Sequence, residues 1–112
     1  MDTISSLYIK GISKYKVDFA VIGASSLDAD GSILDFDQRE VFVTRAILEN
    51  ALKTILVADV SKFEFSAPFK ISEAKDFDYI ILNAPPPRTF EISLLKQGTT
   101  LIIAGEKNAK TK

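Results

Sequence analysis

Residues 21–32 read VIGASSLDADGS. An apolar run stops at Gly23, Ser25 and Ser26 supply hydroxyls, and Asp28 and Asp30 flank an alanine just before Gly31. A calcium loop of the EF-hand type needs acidic ligands at its first, third and fifth positions, a glycine at the sixth and a glutamate at the twelfth. Counted from Asp28, glycine arrives at the fourth position and the twelfth is Arg39, so the spacing fails calcium's geometric requirements. A dinucleotide loop needs G-x-G-x-x-G opening into a helix. Here only Gly23 and Gly31 occur, with acids between them that a pyrophosphate would have to face. Neither a metal nor a cofactor follows from these residues.

A phosphomonoester or sugar-phosphate site fits better. A small residue at a strand end, Gly23, lets backbone approach a ligand closely. Ser25 and Ser26 add hydroxyls and main-chain N–H groups, and Asp28 and Asp30 are acceptors suited to polyol hydroxyls. Lys62, three residues past a second strand end, can supply a cation for phosphate. The other reading is a tight polar turn beside a solvated lysine, and the residues alone leave both open. Glu40 is open in the same way. With Asp37 it is accounted for by helix capping and the helix dipole, and a ligand contact is the alternative.

Composition removes other chemistries. The 112 residues contain no cysteine and no histidine. Disulfides, thiol nucleophiles, Cys/His zinc sites and imidazole-dependent triads are therefore excluded. Basic and acidic residues number 14 and 15, and no basic cluster exceeds the terminal EKNAKTK, so the chain lacks the basic face of a nucleic-acid-binding domain. No apolar run approaches the roughly 18 residues of a membrane span. The absence of cysteine and of a signal peptide fits the cytoplasm.

The elements that must position these residues follow from hydrophobic spacing. Apolar residues at 4, 7, 8, 9 and 12 predict an N-terminal helix, with residues 1–15 as helix and linker. VDFAVI (17–22) predicts a strand ending at Gly23, followed by an acidic loop over 25–37 with a short strand at Ile33 and Leu34. QREVFVTRAILENALK (38–53) predicts a helix with a wide apolar arc, capped by Asp37 with Glu40 reaching back in a capping box. TILVAD (54–59) and YIILN (79–83) are continuously apolar, which predicts parallel strands buried on both faces. The prolines of APPP (84–87) stop the third strand. RTFEISLLKQ (88–97) predicts a helix ended at Gly98, and TTLIIAG (99–105) a fourth strand. Phe63, Phe65 and Phe69 are read as core. Residues 106–112 are read as a flexible tail. Alternating strands and helices define an α/β fold with a mostly parallel sheet and flanking helices, in which ligands gather outside the carboxyl ends of the strands.

The joint pattern of DFAVIGASSLDADGSILDFDQREVFVTRAILENA, LVADVSKFEFSA and FDYIILNAPPP resembles the C-terminal sensor domain of the DeoR family of bacterial transcriptional repressors, over residues 16–104 or so. DADGS, DFD and NAPPP point to the branch that responds to glycerol 3-phosphate. The resemblance implies a domain related to ribose-5-phosphate isomerase. It also implies a phosphorylated sugar or polyol as effector and an operator-binding helix-turn-helix elsewhere in the full repressor. Carried over by position, it implies an effector site built from Gly23, Ala24, Ser25, Ser26 and Asp28, from Glu40, and from Asp59 to Lys62. Two positions depart from the family pattern: Thr44 precedes Arg45 and Ala46 where a lysine is usual, and Glu64 stands where a glycine is common.

These residues carry no helix-turn-helix, and the front half of the usual sensor domain is absent from them. The expectation is therefore an effector-sensing and oligomerisation fragment over residues 16–105. Operator DNA would be reached only through a domain outside it, and self-association would hide its apolar faces. The alternative is an isomerase-like enzyme of the related fold, since carboxylates and a lysine suit proton transfer beside a carbonyl. A third reading is a structural interaction module with an inert loop.

Overall fold

The structure is a computed structural model that describes residues 17–95 and 98–105. The expected helix over 4–12, the tail, and the last two residues of the expected 88–97 helix lie outside the described residues.

Four strands, β1 (Val17–Ile22), β4 (Ala51–Ala58), β6 (Tyr79–Leu82) and β7 (Thr100–Ile103), form an all-parallel sheet in the order β1-β4-β6-β7. Two helices accompany it: α1 (Gln38–Glu49) and α2 (Arg88–Leu95). The α/β class expected from the sequence is the class observed. Each new strand is added on the same side of the last. With the usual right-handed crossovers, every connection then falls on one face. Burial agrees. Ala20, Ile22, Leu56, Ile80 and Leu82 are buried on that face, in one core with Leu27, Ile33, Val41, Ile71, Phe77, Phe90 and Leu94 from the connections. Phe63 and Phe90 meet edge to face at 4.9 Å inside it.

The opposite face is open, against the expectation of burial on both sides. Phe19, Val21, Val57 and Ile102 are between 42% and 64% exposed. Register places them in rows, Val21 beside Ile55 and Tyr79, and Val57 beside Ile81 and Ile102.

The acidic loop and the segment after β4 are more regular than the sequence suggests. They hold β2 (Ser26–Leu27), β3 (Ser32–Asp35) and β5 (Phe69–Glu73), a small antiparallel sheet in the order β2-β3-β5. The β2–β3 turn explains both aspartates. Gly31 N–H donates to the Asp28 carbonyl at 2.9 Å, Asp30 N–H to Asp28 Oδ1 at 3.2 Å and Ser32 N–H to Asp30 Oδ1 at 2.8 Å. Gly31 closes the turn at φ +101°, a conformation that suits glycine.

Helix α1 is capped as expected by Asp37, whose Oδ1 accepts the Arg39 N–H at 2.9 Å. The capping box does not form, because the Asp37 N–H donates to Asp35 Oδ1 at 3.1 Å. The helix ends at Glu49 rather than at 53. Asn50 turns the chain, its Nδ2 donating to the Ala46 carbonyl at 2.9 Å while its own carbonyl accepts the Val17 N–H at 2.9 Å. Residues 51–53 then satisfy their backbone in the sheet, where Ala51 and Lys53 pair with Val17 and Phe19. Arg45 ties the helix to β5 by donating to the Ile71 and Lys70 carbonyls at 3.0 and 2.7 Å. β1 keeps its expected limits, β3 extends one residue beyond Ile33 and Leu34 at each end, and β4, β6 and β7 end one or two residues inside theirs. Phe63 and Phe69 pack on the core, but Phe65 is 52% exposed and is not part of it.

Candidate functional site

Three strand ends lie side by side at the carboxyl edge of the parallel sheet. Ala58 pairs with Leu82, so Asp59 and Asn83 follow neighbouring strands in adjacent positions, while Ile22 pairs with Leu56, so Gly23 leaves β1 level with Val57, two residues before Asp59. Helix α1 ends against the start of β1, through the contact between Asn50 and Val17. At 1.5 Å per residue its opposite end, with Glu40, lies roughly 18 Å away toward this same edge.

Each expected residue can be placed. Gly23 is exposed, and a side chain built there would come no nearer than 3.9 Å to the Val57 carbonyl. Outside the strand ladders, the amides of Gly23, Ala24 and Ser25 make no backbone hydrogen bond among the described residues. Three successive donors thus stand at the strand end, with Ala24 packed on the core to hold them. Ser25 is half-buried. Ser26 is fully buried, and its hydroxyl donates to the Phe65 carbonyl, which pins the segment after β4 to the hairpin. Asp28 is exposed, with Oδ1 taken by its own turn. Glu40 is exposed in the first turn of α1.

Asp59 and Lys62 sit in a 3₁₀ turn over Val60–Glu64. Asp59 caps it, Oδ1 accepting the Ser61 N–H at 2.8 Å. The Ser61 amide and hydroxyl, with the Lys62 charge adding to them, hold the Asp59 carboxyl below its ordinary 3.8. Lys62 is half-buried and its Nζ lies 5.6 Å from the centre of the Phe65 ring. Such a contact steadies an ammonium without neutralising it.

Asn83, the last residue of YIILN and not among the candidate residues above, completes the arrangement. Its Oδ1 accepts the Val60 N–H at 2.8 Å and its Nδ2 donates to Asp59 Oδ2 at 3.0 Å. The available signal was a single polar residue between a buried strand and a proline run. The loop after β1, the turn after β4 and the end of β6 are therefore brought together. Among the described residues no His, Cys, Asp or Glu side chains are grouped to hold a metal ion, and no helix is long and apolar enough to cross a membrane.

A parallel sheet with its connections packed on one face defines an α/β type of domain, and the chain belongs to the DeoR C-terminal sensor domain family, whose model matches residues 2–84. It is similar to the glycerol-3-phosphate regulon repressor of Haemophilus influenzae, 38% identical over 104 residues that make up 93% of this chain and 40% of that protein. It is also similar to the glycerol-3-phosphate regulon repressor of Escherichia coli K12, 42% identical over 76 residues, 68% of this chain and 30% of that protein. The HTH-type transcriptional repressor CsqR of Escherichia coli K12 is more distant, 23% identical over 95 residues, 85% of this chain and 36% of that protein. The chain spans at most 40% of the length of these curated relatives.

Proposed function

We propose that this chain is the effector-sensing and oligomerisation part of a DeoR-type transcriptional repressor, that it acts without catalysis, and that its effector is a phosphorylated polyol or sugar, glycerol 3-phosphate first among them. The observation that carries the reading is the run of three amides at Gly23, Ala24 and Ser25, on the same sheet edge as Lys62. Consecutive backbone N–H groups and an ammonium are the donors a phosphate monoester needs. The names of the two repressors at 38% and 42% identity support the choice of glycerol 3-phosphate.

In this reading Lys62 neutralises the phosphate, the amides and the Ser25 hydroxyl donate to it, and Asp28 and Glu40 accept hydroxyls of the polyol. Asp59 and Ser26 position the turn that carries Lys62. Effector binding favours one arrangement of the sensor and biases an operator-binding domain elsewhere in the repressor, a coupling of two sites through populations. Copies of the chain associate with one another.

The test is isothermal calorimetry with sn-glycerol 3-phosphate on a chimera. In it this chain replaces the matching 104 residues of the Haemophilus influenzae repressor. Saturable binding, with release of the operator, is expected. A folded, operator-binding chimera that takes up neither glycerol 3-phosphate nor any sugar phosphate would remove the effector assignment.

A further inference from the structure

We infer that Phe65 is a positioning residue of the phosphate site: its ring seats the Lys62 ammonium while its backbone is tied to Ser26, so one residue joins the two sets of anion donors. The inference rests on the effector reading proposed above and adds a residue and a role to that site.

Phe65 follows directly on the 3₁₀ turn that carries Lys62. Its N–H closes that turn by donating to the Lys62 carbonyl at 3.4 Å. Its carbonyl accepts the hydroxyl of the fully buried Ser26. Ser26 is the next residue after Gly23, Ala24 and Ser25, whose amides are the other donors of the site. The backbone of Phe65 is thus held from both sides, by the lysine turn and by the amide run.

Packing does not account for the side chain. The ring is 52% exposed and lies outside the core that takes in Phe63 and Phe69. What it meets is the Lys62 Nζ, 5.6 Å from its centre. A lysine carries its charge on a flexible four-carbon stem, and ordering such a stem on binding costs affinity. An aromatic face attracts the ammonium and restricts the stem before an anion arrives. A carboxylate could do the same, but it would compete with phosphate for the charge. Among the described residues Lys62 is in no ion pair, and the nearby Asp59 is engaged by Ser61 and Asn83. The ring therefore places the cation and leaves its charge for the ligand. Phe65 acts through Lys62, and so on the phosphate rather than on the polyol.

The experiment uses the chimera described above, with Phe65→Leu and Phe65→Tyr beside it, and takes two readings. In the first, lysines are reductively methylated with labelled methyl groups, and the Lys62 resonance is assigned by its loss in Lys62→Arg. Without ligand, an upfield ring-current shift is expected in the parent chimera and in Phe65→Tyr, and its loss in Phe65→Leu. The second is calorimetry with sn-glycerol 3-phosphate and with inorganic phosphate. Phe65→Leu is expected to weaken both about two- to fivefold, the worth of a cation–π contact at a partly exposed site. Phe65→Tyr is expected to restore both affinities. In a Lys62→Met background the Phe65→Leu effect is expected to vanish, since the two residues act as a unit. No ring-current shift in the parent chimera overturns the inference. So does a loss confined to glycerol 3-phosphate, which would put the ring against the polyol, or a loss that persists without Lys62. A chimera that binds both anions and is indifferent to Phe65→Leu overturns this inference alone. A folded chimera that binds neither anion removes the effector reading, and this inference with it.

Discussion

The Asn83 side chain spans two strand ends, donating from Nδ2 to Asp59 Oδ2 at 3.0 Å and accepting the Val60 N–H on Oδ1 at 2.8 Å. The end of β6 thereby sets the turn that presents Lys62 after β4. Asn83→Ala should cost about 1 kcal/mol of stability, the usual worth of a hydrogen bond of this kind. Effector affinity should fall by a larger factor, because Lys62 loses its fixed position. Paired thermal melts and calorimetry on the chimera check this. Equal losses in both would assign Asn83 to the fold alone.

Gly23 separates binding from folding more sharply. Its φ is not in the left-handed region, and an added Cβ meets nothing closer than 3.9 Å. Gly23→Ala should therefore melt within about 0.5 kcal/mol of wild type, the usual range for substitutions away from packing. It should weaken effector binding at least tenfold by holding a phosphate off the amides. An unchanged affinity would place the phosphate elsewhere.

Gly31 should behave in the opposite way. At φ +101°, with Ser93 Oγ 3.4 Å from a built Cβ, Gly31→Ala should destabilise by about 1–2 kcal/mol, more than the gain such a substitution gives at a compatible site. The measurement is a urea unfolding curve, and the loss should appear without effector present.

The buried Phe90, edge to face with Phe63, holds α2 and the turn after β4 onto the same core. Phe90→Ala should cost about 3–5 kcal/mol. Phe65→Ala, at an exposed ring, should cost about 1 kcal/mol or less. A large loss at Phe65 would place its ring in the core, as its spacing with Phe63 and Phe69 suggests.

Acid should destabilise the chain in a narrow window. Hydrogen bonds from Ser32 to Asp30, from the Arg39 side chain to Asp37 and from Ser61 to Asp59 lower these carboxyls below 3.8. A lowered folded pKa means that the stabilisation is complete above the unfolded value and is lost as pH falls through the folded one. The melting temperature should therefore stay nearly flat from pH 7 to about 5, since no histidine titrates there. It should drop below about pH 4, and Asp59→Asn should shallow that drop.

The parallel strands and α1 were legible because long apolar runs and helical spacing encode burial directly. The antiparallel sheet was not, because Ser26–Leu27 and Ser32–Asp35 are short and carry serine and aspartate as loops do. The helix was read too long because Ala51 and Leu52 continue its spacing, although pairing with β1 claims them. For the site, residue types point to Gly23, Ser25, Ser26, Asp28, Asp30 and Lys62. Asp59 is legible as a strand end and joins the site only through the resemblance, and Asn83 is not legible in either way. Its role arises from strands 23 and 24 residues apart meeting at one edge, which no local pattern records.

The most direct test of the central claim is the titration of sn-glycerol 3-phosphate into the chimera and its Lys62→Ala variant, both shown to fold and to bind operator. The account predicts one saturable site in the chimera, and in Lys62→Ala an affinity at least tenfold weaker with an unchanged melting temperature. Equal affinity in the two proteins, or no binding in either, would contradict it.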